Sequence, residues 1–251
     1  HTVLDTGQLF LEYQPQVQME SFRIVGVEAL LRWQHPQLGP MLPGRFIALA
    51  EETGLIEAIG CWVLKTACRQ TRRWLDAGLQ PGSIAVNLSV RQLRSPNLLE
   101  TVAETLAACR LEGHFLELEV TETMLMEAPE SVIPILTGLK QLGVKLALDD
   151  FGTGYSSLSY LKRFPFDHLK IDRSFVGDIS TDSNDTVIVQ SIISLGHSLG
   201  LKVIAEGVET AEQLRFLKQH HCDGIQGYHV AEPLPEADFT RWLLRRHPPS
   251  A

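Results

Sequence analysis

The chain of 251 residues is 44% apolar and 21% charged, the composition of a globular protein that can bury a large core. Its formal net charge of −8 comes without a basic stripe, so long nucleic acid is not an expected partner. No apolar run reaches the ~18 residues of a transmembrane helix, and no basic-then-apolar signal pattern opens the chain, so we expect neither membrane contact nor secretion.

The cysteines indicate a reducing compartment. Cys61, Cys68, Cys109 and Cys222 form no C-x-x-C pair, and the first two are spaced to share one buried helix face. A reduced, cytoplasmic protein is the simplest interpretation. The sequence also begins without an initiator Met, so we expect a segment of a longer modular protein.

Strand-like and helix-like segments alternate along the chain. The strand-like runs are LEYQPQV (11–17), VGVEALLRW (25–33), SIAVNLS (83–89), FLELEVTE (115–122), VKLALDD (144–150), HLKID (168–172), KVIAEGVE (202–209) and DGIQGY (223–228). Between most of them lie segments with apolar residues every three or four positions, such as LIEAIGCWVLKTACRQTRRWL and NLLETVAETLAACRL. No low-complexity linker divides the chain, so residues 1–251 are expected to form a single α/β domain. Eight strands with helices between them predict a closed, TIM-like (β/α)8 barrel.

The first connection departs from the repeating pattern. Only residues 18–24 join the first run to the second, whereas a parallel crossover needs roughly a dozen residues or more. The first two strands are therefore predicted to form an antiparallel hairpin, which gives a barrel with its first strand reversed.

Each predicted strand after the first carries a polar side chain near its C-terminal end, where parallel barrels collect their functional residues. These side chains are Glu28, Asn87, Glu119, Asp149 with Asp150, Lys170, Glu206 and Gln226. Asn87 and Glu119 each lie between apolar residues, so strand alternation directs them toward the barrel axis and their neighbours toward the helices.

Five carboxylates at one mouth, those of Glu28, Glu119, Asp149, Asp150 and Glu206, cannot all stay ionised without cations, because mutual repulsion raises their pKa values. Hard divalent ions such as Mg²⁺ or Mn²⁺ prefer carboxylate and amide oxygens. The adjacent aspartates suit two ions about 3.5–4 Å apart. Two such ions suit phosphoester hydrolysis, with Glu206 as the candidate base and Lys170 stabilising the pentavalent phosphorus.

The aspartate pair and the loop after it also have a simpler structural interpretation. Asp149 and Asp150 alone would suit the cap of a turn. The Gly-x-Gly that follows lacks the third glycine of a dinucleotide-binding fingerprint and would be only a turn. In the functional interpretation, this loop with Ser156 and Ser157 closes over the site or holds it in place.

Other conspicuous residues are interpreted as structural. Glu117 shares the parity of Glu119 but lies deeper in the barrel, where we expect a buried cation or a backbone group as its partner. His220 and His221 end a predicted helix, where an imidazole suits the helix dipole. Trp62 and Trp74 lie on the long helix and are expected to pack.

The order of the motifs identifies a family. VEALLRW, NLSVRQL, LEVTET, LALDDFGTGYSSLSYL, LKIDRSFV, VIAEGVET and GIQGYHVAEPLP follow one another from about residue 14 to residue 234. The chain therefore resembles an EAL domain, the family of phosphodiesterases specific for cyclic di-GMP. The family barrel has its first strand reversed, in agreement with the predicted hairpin.

The resemblance implies hydrolysis of one phosphodiester of cyclic di-GMP to linear pGpG with two Mg²⁺ or Mn²⁺ ions. It implies a first ion held by Glu28, Asn87, Glu119 and Asp149. The second ion would be held by Asp149 and Asp150, with Glu206 close by, while Lys170 matches the catalytic lysine of the family. Ca²⁺ is expected to bind but to support little catalysis.

The resemblance also assigns substrate-binding and positioning residues. The positions matching the substrate pocket are Gln14, Arg32, Asp172, Gln226, Glu232 and Pro233. Glu122 and Glu209 match residues that position the loop of residues 150–158. Thr123 and His229 depart from the residues usual at their positions, and His229 would alter the pocket rim.

Three functions follow from these observations. The expected function is an active phosphodiesterase within a larger signalling protein with regulatory domains, acting as a homodimer through the helix and loop after Asp150. The alternative is an inactive receptor that binds cyclic di-GMP, but such receptors typically lose metal ligands or the DDFGTG loop, and both are present here. A scaffold that uses the barrel only for protein contacts is a third possibility without specific support.

Overall fold

Eight strands close into a barrel, and helices pack on its outside. The computed structural model describes residue 4 and residues 6–126, 128–153, 158–179 and 183–246. The strands are β1 Leu9–Gln18, β2 Ile24–His35, β3 Gly39–Met41, β4 Ser83–Asn87, β5 Leu116–Thr121, β6 Lys145–Phe151, β7 His168–Ile171, β8 Lys202–Ala205, β9 Gly224–Ile225 and β10 Leu234–Pro235. The α-helices are α1 Ile47–Glu52, α2 Leu55–Asp76, α3 Val90–Leu93, α4 Leu98–Cys109, α5 Glu122–Met126, α6 Pro129–Gln141, α7 Leu158–Leu161, α8 Arg173–Gly177, α9 Ser183–Ser198, α10 Ala211–Gln219 and α11 Glu236–Arg246.

The strand order confirms the predicted barrel and its reversed first strand. From β2 through β4 to β9, neighbouring barrel strands run parallel. β1 closes the barrel and runs antiparallel to both β2 and β9. β3 extends the far end of β2, and β10 pairs with β1. The short β1–β2 connection forces this reversal, because it cannot cross over the barrel.

Alternation along the parallel strands sorts side chains between the helix layer and the barrel interior. In β5, Leu118 and Val120 belong to the apolar core, whereas Glu117 and Glu119 are also fully buried but have the opposite parity. Two acids therefore occupy the interior of a barrel whose outer layer is aliphatic. These two acids contribute carboxyl groups to the chemistry at both ends of the barrel.

Two capping boxes fix the helices that follow the C-terminal ends of β4 and β8. The Ser89 side chain accepts a hydrogen bond from the backbone N–H of Gln92, and the Gln92 side chain accepts one from the backbone N–H of Ser89. Thr210 and Gln213 repeat this arrangement at α10. The caps satisfy free backbone groups of the helices and hold the chain where it leaves the barrel mouth.

The long helix α2 packs through its aromatic side chains, as predicted. Trp74 is buried, its ring lies 5.0 Å from that of Tyr13 in an edge-to-face arrangement, and its indole donates to Thr240 Oγ1 at 2.8 Å. Trp62 is half-buried against the same core. In the ranges that the structure describes, no helix has both the length and the apolarity needed to cross a membrane.

Gly82→Ala is expected to lower the free energy of unfolding by about 1–3 kcal/mol. Gly82 has a φ of +77°, and a Cβ atom there would lie 2.3 Å from the carbonyl oxygen of Val25. Both the left-handed backbone and the close approach of the two chain segments therefore exclude a side chain. Urea denaturation measures the loss. Gly44→Ala is the matched control, because no atom lies within 4 Å of a Cβ at that position, and equal effects of the two substitutions would contradict this expectation.

Candidate active site

Polar side chains from the C-terminal ends of the strands meet at one mouth of the barrel. Asn87 is the last residue of β4, Asp149 lies near the end of β6, and Glu206 and Gln226 directly follow β8 and β9. Because parallel strands end at the same rim, residues that are far apart in sequence become neighbours there.

Lys170 is completely buried, and four carboxylates surround its ammonium group. Its Nζ atom lies 2.6 Å from Glu206 Oε1, 2.8 Å from Glu119 Oε1, 3.4 Å from Asp149 Oδ1 and 3.8 Å from Glu28 Oε2. Burial alone would lower the pKa of Lys170, but these carboxylates outweigh burial and hold that pKa well above its ordinary value. Lys170 is therefore a permanent cation, yet one ammonium group cannot balance four ionised carboxylates.

The excess of acids is visible in their pKa values. Burial raises the pKa of Glu119 well above its ordinary range, and it raises the pKa of Glu206 to about 8 despite the opposing effect of Lys170. Burial and the neighbouring Asp149 raise the pKa of Asp150 to about 6. A divalent cation among these groups would favour their ionised forms.

Glu28 behaves differently, because hydrogen-bond donors hold both of its oxygens. Asn87 Nδ2 donates to Glu28 Oε1 at 2.8 Å, and Gln226 Nε2 donates to Glu28 Oε2 at 2.5 Å. Burial favours the protonated form, but Lys170 and these two amides outweigh it, so the pKa of Glu28 is lowered. Glu28 thus stays a carboxylate in the interior of the barrel.

A chain of buried glutamines fixes the amide of Gln226. Gln16 Nε2 donates to Gln226 Oε1 at 3.0 Å, and Gln226 Nε2 also donates to Gln14 Oε1 at 2.9 Å. Both partners come from the reversed strand β1, where Gln14 pairs with Glu28 across the hairpin. The reversed strand therefore supplies part of the support for the carboxylate cluster.

The adjacent aspartates depart from regular strand geometry. Neighbouring side chains of a strand normally point to opposite faces, but Asp150 has a φ of +53° and the pairing of β6 with β7 shifts between Leu148 and Phe151. The backbone N–H of Asp150 donates to Asp149 Oδ1 at 2.9 Å. As a result, one oxygen from each of Asp149, Asp150 and Glu206 lies within 4.8 Å of the others.

The hydrogen bonding around Glu119 indicates whether these residues fit a metal ion. Both of its carboxylate oxygens are buried, and neither accepts a hydrogen bond, since the contact with Lys170 lacks hydrogen-bond geometry. A buried acceptor without a donor is costly, and coordination to a cation would satisfy it. The side chains of the cluster that could coordinate a metal, the carboxylates and the Asn87 amide, offer oxygen atoms, which suit a hard divalent ion. The site fits a metal.

A cleft of about 370 Å³ opens above the carboxylates. Its wall includes Glu28, Asp149 and Glu206 from the cluster, with Gln14 and Gln226 beside them. The cleft is large enough for a ligand of small-molecule size. Acidic groups form its floor, so a negatively charged ligand would need cations between itself and these carboxylates.

Glu122 links the cluster to the loop that follows β6. Its side chain is buried at the start of α5, and Oε2 accepts a hydrogen bond from the backbone N–H of Gly152 at 3.2 Å. Glu122 thus contacts the chain just after the two aspartates, in the loop that it is predicted to position. Residues 154–157, including the predicted loop serines Ser156 and Ser157, lie outside the described ranges.

Comparison with known proteins identifies the family. The family model described as "EAL domain" matches residues 2–233. The chain belongs to the EAL domain family. The identification made from the ordered motifs is thus confirmed.

Two relatives and one solved structure show how close the similarity is. This EAL domain is 49% identical over 232 residues to the bifunctional diguanylate cyclase/cyclic di-GMP phosphodiesterase MucR of Pseudomonas aeruginosa, covering 92% of this chain and 34% of MucR. It is 47% identical over 240 residues to the cyclic di-GMP phosphodiesterase NbdA of the same organism, covering 96% of this chain and 31% of NbdA. The structure titled PaMucR phosphodiesterase, c-di-GMP complex, superposes with a TM-score of 0.92 at 48% identity, over 95% of this chain and 96% of that one. The EAL domain spans about a third of the length of the curated relatives it matches.

The predicted substrate residues of the EAL domain divide into two groups. Gln14, Arg32, Gln226 and Pro233 line the cleft. Asp172 and Glu232 are not part of the cleft wall formed by the described residues. Asp172 instead caps helix α8, where its Oδ1 accepts from Ser174 N at 3.0 Å and from the Ser174 hydroxyl, and Glu232 is exposed at the rim. Glu209, predicted to position the loop, lies in the cleft wall.

Three functional candidates were missed in the sequence. Arg173 and Tyr228 line the cleft, and Glu12 forms a 2.8 Å ion pair with Arg32 Nε. The available signals were a basic residue directly after the predicted LKID strand and an aromatic residue directly after QG. Glu12 gave no signal, because its partnership with Arg32 depends on the register of the β1–β2 hairpin.

The structure also shows the contacts of Glu117 and His220, two residues interpreted as structural from the sequence. Glu117 is structural, and its side chain pairs with a histidine rather than with a backbone group, since Glu117 Oε1 lies 2.8 Å from His168 Nδ1. His220 caps α10, and its Nδ1 lies 2.9 Å from the carbonyl oxygen of Phe216.

Proposed function

We propose that this domain hydrolyses one phosphodiester bond of cyclic di-GMP and releases linear 5′-pGpG. The observation that carries the proposal is the convergence of five carboxylates and Lys170 below an open cleft, with buried oxygens of Glu119 left without donors. Support also comes from MucR and NbdA, two relatives that are named as cyclic di-GMP phosphodiesterases, and from the MucR structure titled as a c-di-GMP complex.

The proposed cofactor is a pair of Mg²⁺ or Mn²⁺ ions. Glu28, Asn87, Glu119 and Asp149 would hold the first, and Asp149 and Asp150 with the nearby Glu206 would hold the second. Bound divalent ions of this kind supply a Lewis acid for the phosphate oxygens and an activated water nucleophile.

Glu206 and Lys170 carry the proton and charge chemistry. Glu206 is at the cleft floor, and with divalent cations bound beside it its carboxylate would be ionised and able to accept a proton from the attacking water. Lys170 lies beneath Glu206, at 2.6 Å, and stabilises the negative charge that develops at phosphorus. Its complete burial fixes this charge in position.

The cleft wall supplies the substrate contacts. Arg32 offers a guanidinium group suited to a phosphate, and Glu12 fixes its orientation through the ion pair at Nε. Gln14 and Gln226 present amides toward the same space. Two proposed contacts lie outside this wall: Asp172 at the start of α8, which suits the donor edge of a guanine, and Glu232, which would form a rim segment with Pro233.

The reaction is tested by incubating the purified domain with cyclic di-GMP and Mg²⁺ or Mn²⁺ and separating the nucleotides by chromatography. Metal-dependent formation of pGpG is the expected result, with a chelated sample as the control. Tight nucleotide binding without product would contradict the proposal and favour the receptor function. No observation in the structure favours that alternative, because the described metal-ligand residues are all present.

Replacing Mg²⁺ or Mn²⁺ by Ca²⁺ is expected to keep cyclic di-GMP bound while slowing turnover by roughly a factor of 10 or more, which corresponds to about 1.4 kcal/mol in the barrier. Ca²⁺ fits oxygen ligands but accepts longer and looser coordination, so it holds the reacting groups less strictly. Isothermal titration calorimetry measures binding, and chromatography measures turnover. Equal turnover with Ca²⁺ and Mg²⁺ would contradict the strict geometry proposed for the site.

We also propose that the domain acts as a cytoplasmic homodimer within a longer protein with regulatory domains. The expected contact is the helix and loop after Asp150, which includes α7 Leu158–Leu161 and residues 154–157 outside the described ranges. The chain spans about a third of MucR and NbdA. The proposed regulatory domains would lie in the remaining part of a longer protein of similar organisation. Sedimentation analysis of the isolated domain tests the dimer, which a purely monomeric profile at high concentration would exclude.

A further inference from the structure

A second cluster of charged side chains lies at the opposite end of the barrel. Lys145, His168 and Lys202 are the first residues of the neighbouring strands β6, β7 and β8. They line a recess of about 380 Å³, which we call the basic cavity, together with Gln18, Ile24 and Val25 of the β1–β2 hairpin and with Asp223 and Gly224 at the start of β9. The metal-binding residues at the other mouth do not line it.

Strand register places the three basic side chains on the same face. Lys145 is the pairing partner of Glu117 on β5, and His168 is the pairing partner of Lys202 on β8. Paired residues of adjacent strands project to the same side of a sheet. Because the Glu117 side chain is buried in the barrel and contacts His168, all three basic side chains lie on the side of the sheet that faces the barrel interior, where Lys202 stays exposed to solvent.

A buried hydrogen-bond network supports the basic cavity. Glu117 is fully buried, and its Oε1 lies 2.8 Å from His168 Nδ1. The hydroxyl of Ser83 donates to Glu117 Oε2 at 3.3 Å and accepts from Lys145 Nζ at 3.3 Å. The contact at Nδ1 leaves Nε2 as the other hydrogen-bonding atom of the His168 ring. The network therefore orients two of the three basic groups.

Glu117 faces His168 and reaches Lys145 only through Ser83, so neither lysine of the cavity has a direct carboxylate partner in the described part of the chain. Within the described part of the chain, no carboxylate oxygen lies within 4 Å of the ammonium group of Lys145 or Lys202. Asp223 lines the cavity, but its Oδ2 already accepts from Val203 N and lies 2.8 Å from His197 Nε2. Two ammonium groups at the wall of one recess repel each other, and a bound anion would lower this repulsion.

We propose that the basic cavity binds a small phosphate-bearing anion, either inorganic phosphate or a phosphate monoester. Two ammonium groups on β6 and β8 supply donors and positive charge, which match the oxygens and double charge of phosphate. The His168 ring, with its Nδ1–H on Glu117, would add a donor at Nε2 in its imidazolium form. Lysine binds phosphate as a point charge, and the recess has the volume of a small-molecule site. A dicarboxylate carries the same charge on two separated groups and matches this arrangement less well.

Isothermal titration calorimetry tests the proposal with three probes, inorganic phosphate, glycerol 3-phosphate and succinate. Metal ions are removed beforehand with a chelating resin, because a soluble chelator is itself a multivalent anion. The comparison uses the wild type, a Lys145→Gln/Lys202→Gln variant, and a Lys65→Gln/Lys162→Gln variant. Lys65 and Lys162 are exposed residues that do not line the cavity, so the second variant has the same change in net charge.

The expected result is saturable binding of phosphate or glycerol 3-phosphate by the wild type and the control variant, and binding weaker by about 10-fold or more in the cavity variant. Should the double variant fail to fold by circular dichroism, Lys202→Gln alone replaces it, since Lys202 is exposed. The proposal is overturned if neither phosphate compound binds, if succinate binds as tightly, or if the cavity variant binds as well as the control. The measurement uses no metal and no cyclic di-GMP, so its outcome is independent of the proposed hydrolysis.

Discussion

Asp149→Ala is expected to abolish turnover of cyclic di-GMP while leaving the barrel folded. Asp149 is the residue proposed to contact both metal ions, so its removal takes a ligand from each of them. Metal ions contribute several kcal/mol to charge stabilisation in phosphoryl transfer, and each 1.36 kcal/mol is a factor of ten in rate. A loss of about 10³-fold or more in kcat/KM is therefore expected, measured by chromatography of pGpG at saturating Mg²⁺.

The Asp149→Ala variant should still fold, because removing one carboxylate relieves the repulsion among the acids around Lys170. Three other carboxylates remain within 4 Å of Lys170 Nζ in the variant, so its charge stays balanced. Asp76→Ala is the matched control, since Asp76 lies on the surface and forms an exposed ion pair with Arg72, a contact worth ~1 kcal/mol or less. Wild-type turnover in Asp149→Ala would refute the two-metal assignment, and Glu28→Ala provides an independent check on it.

Glu206→Gln is expected to lower kcat by about 10²-fold or more while KM stays nearly unchanged. Glutamine keeps the size of the side chain and one oxygen near Lys170, but an amide cannot accept the proton of the attacking water. The effect should therefore appear in the chemical step and not in substrate binding. Steady-state kinetics at saturating metal measures both constants, with Glu212→Gln, an exposed residue on α10, as the control.

A metal titration separates two roles of Glu206. If Glu206 is the base, the turnover rate of the variant stays low at every metal concentration. If Glu206 is only a metal ligand, the weakened site can be filled by supplying more metal, and the rate recovers. If excess Mg²⁺ restored the rate of Glu206→Gln, Glu206 would be a metal ligand and not the base. Unchanged turnover at ordinary metal concentration would remove it from both roles.

Much of the fold was predictable, because it follows from features of short sequence segments, such as loop length and the alternation of polar and apolar residues. The short link before Ile24 excludes a parallel crossover, and this alone predicts the reversed strand. Alternation of polar and apolar residues placed Asn87 and Glu119 in the barrel interior, and strand ends placed Glu206 and Gln226 at the mouth. These inferences need only spacing, chain length and the handedness of the barrel.

The contacts within the site were less predictable, since they depend on register and on side-chain reach. The pairing of Arg32 with Glu12 follows from the β1–β2 register, and the pairing of His168 with Glu117 joins strands that are not adjacent. The positive φ of Asp150 also gave no sequence signal, because a non-glycine residue seldom adopts it. Both aspartates were recognised, but the backbone geometry that brings their carboxylates together was not.

The reversed first strand changes how force could reach the metal site. In a barrel of eight parallel strands, the first strand starts at the end opposite the active site. Here β1 starts at the catalytic mouth, where Leu9 pairs with Trp33. A neighbouring domain joined ahead of Leu9 would thus pull on the mouth itself. One route for such a pull runs from Gln14 to Gln226 and then to Glu28 through two hydrogen bonds, and a second runs directly across the hairpin, where Gln14 pairs with Glu28.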